Sequence, residues 1–126
     1  MPQPPEDWYD RTIVYKSLVS DTGYAGYYVS FHEKKFLTFG EFLSTIGDEQ
    51  EWKEGQGATW ILTVQHLDTD LSHNGPVKLY FRKEKSPSGK TNILLLKAVT
   101  QDYEIPWVLL DQIVMKAGEN FNRLKG

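Results

Sequence analysis

Val77-Lys78-Leu79-Tyr80-Phe81-Arg82-Lys83-Glu84-Lys85-Ser86-Pro87-Ser88-Gly89-Lys90-Thr91-Asn92-Ile93-Leu94-Leu95-Leu96 is the stretch whose reading decides the fold. Its first part alternates, with Val77, Leu79 and Phe81 on one side and Lys78, Tyr80 and Arg82 on the other, the period of a strand that has one face in a core and one in water. Ser86-Pro87-Ser88-Gly89 is turn chemistry, because proline fixes φ and glycine accepts a positive one. Beyond the turn, Ile93 to Leu96 are apolar on both faces, as in an interior strand covered on two sides. The two runs predict an antiparallel hairpin.

Working outward, residues 58–67 place Ala58, Trp60, Leu62, Val64 and His66 on one face and Thr59, Ile61, Thr63, Gln65 and Leu67 on the other, a further half-buried strand. Residues 12–19 are β-branched and aromatic and precede the turn signal Asp21-Thr22-Gly23. Residues 27–31 alternate again and close at the polar Glu33-Lys34-Lys35, so these two runs form a second hairpin. Phe39, Phe42, Leu43 and Ile46 sit at i, i+3, i+4 and i+7, which predicts a short helix over 39–46 capped by Thr38 and ended at Gly47. Residues 48–57 are acidic and glycine-bounded and are expected to form a surface loop.

Near the C-terminus, residues 101–105 read as a short strand or a connection, and Pro106 suits the first turn of a helix over 106–124. There Trp107, Leu110, Ile113, Val114, Ala117, Phe121 and Leu124 form one stripe, with Asp111, Gln112, Lys116, Glu119 and Asn122 opposite. The fold expected is α+β: a mainly antiparallel sheet of five or six strands with the short helix and the long C-terminal helix on one face.

A chain of 126 residues supports a single core. Residues 9–126 are read as one domain, preceded by an extended proline-rich arm at 1–8 that Trp8 or Tyr9 pins to the body. With no cysteine there is neither disulfide nor thiolate metal site, which fits the cytoplasm. No apolar run approaches the length of a membrane span, so no membrane partner is expected. The net charge of −3 hides an imbalance: residues 1–75 carry −7 and residues 76–126 carry +4. Local fields steer association, so a low net charge is compatible with an anionic partner.

Lys78, Arg82, Lys83, Lys85 and Lys90, with Tyr80 among them, combine cations for phosphates with an aromatic face for bases, the pairing by which single-stranded nucleic acid is held. Tyr28 joins them if it shares the outward sheet face. Lysines also guard strand edges against aggregation, a structural role that needs no ligand. A second reading is a protein-interaction module, a regulator, adaptor or inhibitor, in which Glu49, Glu51 and Glu54 frame an exposed Trp52. A third, a metal-dependent hydrolase, requires His66, Asp68 and Asp70 to converge, although a strand exit into an Asp- and Ser-rich loop gives the same composition.

No phosphate-binding glycine loop, nucleophile elbow or cofactor motif stands in the chain. The residues therefore favour a small non-enzymatic binding domain without a cofactor, contacting single-stranded nucleic acid through a basic hairpin and an exposed aromatic sheet face. An edge strand at 77–83 would also let two copies pair across a two-fold axis.

Overall fold

A computed structural model describes residues 2–20, 29–46, 50–65, 76–101 and 103–125. The strands are β1 (Thr12–Ser20), β2 (Val29–Thr38), β3 (Gln50–Glu54), β4 (Trp60–Val64), β5 (Val77–Lys85), β6 (Thr91–Thr100) and β7 (Tyr103–Glu104), and the helices are α1 (Phe39–Leu43) and α2 (Trp107–Lys125). They form a seven-stranded sheet in the order β2-β1-β6-β5-β4-β3, with β7 also on β6. β3 to β6 is an antiparallel meander. The β1–β2 hairpin joins it through a short parallel pairing, Ile13 beside Ile93 and Val14 beside Leu94.

The alternation in β5 has the expected result: Val77, Leu79 and Phe81 are buried, and Lys78 and Arg82 are exposed. The hairpin closes where Ser86 N–H donates to the Lys90 carbonyl at 2.7 Å and Gly89, at φ +88°, turns the chain. On the covered face, Ile13, Leu62, Leu79, Phe81, Ile93 and Leu95 pack with Phe39, Phe42 and Leu43 of α1 and Leu110, Ile113, Val114 and Ala117 of α2. Burying each large apolar group contributes roughly 1.5–3 kcal/mol before the entropy of ordering. Phe39 lies at the centre, its ring 5.2 Å from Phe81, 5.4 Å from Tyr9, 5.6 Å from Trp8 and 5.7 Å from Trp52.

α1 begins where its orphan amides find acceptors. Thr38 and Glu41 form a reciprocal capping box, with Glu41 N–H donating to Thr38 Oγ1 at 3.2 Å and Thr38 N–H to Glu41 Oε1 at 3.0 Å. Phe39 and Gly40 N–H donate to the carbonyls of Arg11 and Tyr9. A Cβ on Gly40 would stand 3.2 Å from that Tyr9 oxygen. α2 is tied to the sheet by the buried Tyr15, whose hydroxyl donates to Asp111, and to the turn after α1 by Asn120, whose amide donates to the Thr45 carbonyl.

Several expectations are corrected. The arm is not extended to Trp8: Glu6–Trp8 is a 3-10 turn, although Trp8 is buried against Phe39 as the pin. β2 does not close at Glu33-Lys34-Lys35 but runs to Thr38, because β1 continues to pair with it as far as Thr12. Residues 50–54 are not loop: they pair with β4 along their whole length and form an outer strand of the sheet. β5 is not an edge, since Val77 to Phe81 are paired with β4 on one side and β6 on the other, so that stretch has no free backbone for a second copy. Pro106 precedes α2 and accepts from Leu109 and Leu110 N–H. The α2 stripe is buried from Leu110 to Ala117, but Leu124 overhangs the core and is 73% exposed.

Among the described residues, no helix is long and apolar enough to cross a membrane.

Candidate binding face on the outer side of the sheet

The outward residues fall into cross-strand rows. One runs Lys53, Ile61, Tyr80 and Lys97 across β3, β4, β5 and β6. Its end Cα atoms are three strand spacings apart, about 14 Å. The next runs Glu51, Thr63, Lys78, Val99 and Glu104. On the other side of the Tyr80 row, Arg82 stands beside Leu94 and Val14.

Lys97 reaches this face through a β-bulge. Tyr80 pairs with Lys97 but Phe81 pairs with Leu95, so Leu96 is an extra residue in β6. Up to the bulge the covered face takes Ile93 and Leu95, and after it Ala98 and Thr100. Unbroken alternation would point Lys97 into the core. The bulge instead puts its ammonium over the Tyr80 ring, 4.8 Å from the centroid. It also leaves Leu96 37% exposed, which corrects the expectation that Ile93 to Leu96 are all covered.

An open groove of about 690 Å³ follows this row, with Ile61, Tyr80 and Leu96 as an apolar floor, Lys53 and Lys97 at its flanks, and Glu54, Gln56 and Thr59 of the β3–β4 turn as a rim. The turn is closed by Gly55 N–H donating to the Thr59 carbonyl at 2.7 Å. The size is that of a small-molecule site, 300–1,000 Å³ being typical. Among the described residues, Lys53, Lys78, Arg82 and Lys97 form no ion pair, whereas Lys16 and Glu84 meet at 3.2 Å, a contact from β1 to β5 that passes over β6. The positive character is thus local to the Tyr80 row and Arg82, since the Lys78 row ends in a glutamate on either side.

The hairpin residues do not act as one surface. Lys78, Tyr80 and Arg82 share the outward face, with Tyr80 half-buried. Lys83 has the opposite parity, and its ammonium lies 3.7 Å from Asp7, which also takes Arg11 at 3.4 Å. Lys85 and Lys90 are exposed at the hairpin tip. Trp52 is 5% exposed and its ring meets Phe39 and Phe81, so it is a core residue and not an aromatic framed by charge. Glu51 and Glu54 are exposed around no such centre.

Tyr28, Glu49, His66, Asp68 and Asp70 lie outside the described residues. Among the described residues, no three His, Asp or Glu side chains come together as a metal site.

Lys53, Ile61, Leu96 and Lys97 are the groove residues that sequence reasoning missed. Lys53 falls in a segment whose composition predicts a loop, and Lys97 has the wrong parity unless the bulge is known. The one available signal was Lys97 itself, a charge directly after four apolar residues. Comparison with known proteins adds no guide to this face: no protein-family model, no curated protein and no solved structure matches the chain.

Proposed function

We propose that the chain is a small binding domain whose outward sheet face receives single-stranded nucleic acid along the Lys53–Lys97 row. The observation that carries this reading is an aromatic ring in an open groove whose flanking cations, Lys53 and Lys97, form no ion pair among the described residues. Cations take the phosphates without regard to sequence, and the ring offers a face that only an unpaired base can reach. Ile61 and Leu96 add an apolar floor beside that ring, against which a base would lose water from one face. The protein-contact alternative loses its anchor with Trp52 in the core.

Fluorescence anisotropy with labelled single-stranded and duplex oligonucleotides, titrated with salt, tests the reading. Neutralising four phosphates with Lys53, Lys78, Arg82 and Lys97 gives a log–log salt slope of about −3 for a single strand. Charge reversal by Lys78→Glu with Arg82→Glu should weaken binding far more than Lys85→Glu, which changes the hairpin tip. Binding that is independent of salt, or that prefers duplex, would sink the reading.

A further inference from the structure

Resting on that reading, we infer that Tyr80 is the stacking platform for one unpaired base and that Lys97 is its removable cover, leaving the ring for a phosphate when the strand binds. In the free protein the ring cannot receive a base from the groove side without moving Lys97, because the ammonium stands 4.8 Å above it. The exchange is favourable by magnitude. A cation over an aromatic ring at an exposed site is worth roughly two- to fivefold in an equilibrium constant. A stacked base is worth roughly five- to 150-fold.

The displaced ammonium keeps a partner, since a base on Tyr80 brings its own phosphate to the edge of the same groove. Lys97 has the freedom to follow it: its side chain is exposed and makes no ion pair among the described residues. Lys53 stands at the other end of the row, two strands from Tyr80, so a strand crossing the sheet meets a cation on each side of the stacked base. Complementary charge thus flanks the Tyr80 ring, and the occupant it selects is a single strand. The bulge at Leu96 makes the arrangement possible, because it places Lys97 opposite Tyr80 and opens the apolar floor next to the ring.

The test uses the full chain and a short single-stranded oligonucleotide that carries one fluorescent purine analogue, beside a copy that is abasic at the same position. Stacking should quench the analogue, and the abasic strand should bind wild-type protein roughly five- to 150-fold more weakly at equal salt. Tyr80→Leu should abolish both the quenching and the abasic penalty while leaving the salt slope unchanged. Lys97→Gln should keep the quenching and reduce the slope by about 0.7, one phosphate contact. An unchanged slope in Lys97→Gln would mean that the ammonium never reaches a phosphate, and would overturn its role as the cover.

Salt-dependent binding with equal affinity for the two strands and no quenching would remove the stacking platform while leaving the nucleic-acid reading in place. No binding of either strand at low salt would remove both. The comparison of strands is made on wild-type protein, so it stands even if a Tyr80 variant folds poorly.

Discussion

Removing one hydroxyl measures how α2 is held to the sheet. Tyr15 is buried on β1, and its hydroxyl donates to the half-buried Asp111 of α2. Tyr15→Phe keeps the ring and opens no cavity, so the loss reports the hydrogen bond. A bond to a charged acceptor is worth about 1.5–3 kcal/mol, and water reaching Asp111 recovers part of it, which sets the expected loss at about 1.5–2 kcal/mol at pH 7. Asp111→Asn keeps a neutral acceptor and should lose about half as much. Urea denaturation at fixed slope reads both.

The same bond has a pH signature. Burial first, and then the hydrogen bond to Asp111, hold the Tyr15 phenol well above its ordinary value. Above pH of about 10 the unfolded chain gives up this proton while the folded chain keeps it, so the bond's contribution is complete below that pH and declines as pH rises further. Tyr9 is also raised, by burial and by Glu6, so the informative quantity is the difference between wild type and Tyr15→Phe. That difference should shrink above about pH 10. A Tyr15→Phe protein within about 0.5 kcal/mol of wild type at pH 7, with a parallel profile in alkali, would refute the reasoning.

Phe39→Ala removes the ring that meets Trp8, Tyr9, Trp52 and Phe81 and should cost about 3–5 kcal/mol in denaturant unfolding. Trp52→Ala should cost a similar amount, about 3–5 kcal/mol, whereas a variant of unchanged stability that lost a protein partner in a pull-down would restore Trp52 as a surface contact. Gly40→Ala places a Cβ 3.2 Å from the Tyr9 carbonyl that Gly40 itself bonds, and should destabilise despite the helix preference of alanine. The expected loss in thermal or denaturant unfolding is about 1–3 kcal/mol, and a stabilised variant would deny the close approach.

Local chemistry determined much of this protein. Alternation in 77–83 assigns Val77, Leu79 and Phe81 to the core and Lys78, Tyr80 and Arg82 to the outside, whatever the neighbouring strands are. Thr38 with Glu41 starts α1, Ser86 to Gly89 turns the hairpin, and the stripe from Leu110 to Ala117 seats α2, because caps, turns and helical faces are properties of a few consecutive residues.

What needed the tertiary structure depends on partners far away in the chain. Residues 50–54 become a strand only because β4 offers a free edge, which buries Trp52 and turns Lys53 outward. Lys83 leaves the basic face by parity and finds Asp7. The extra residue Leu96 resets the parity of β6 and lifts Lys97 over Tyr80. A bulge is set by the register of two strands and not by the composition of one, so the groove they share could not be read from either strand alone.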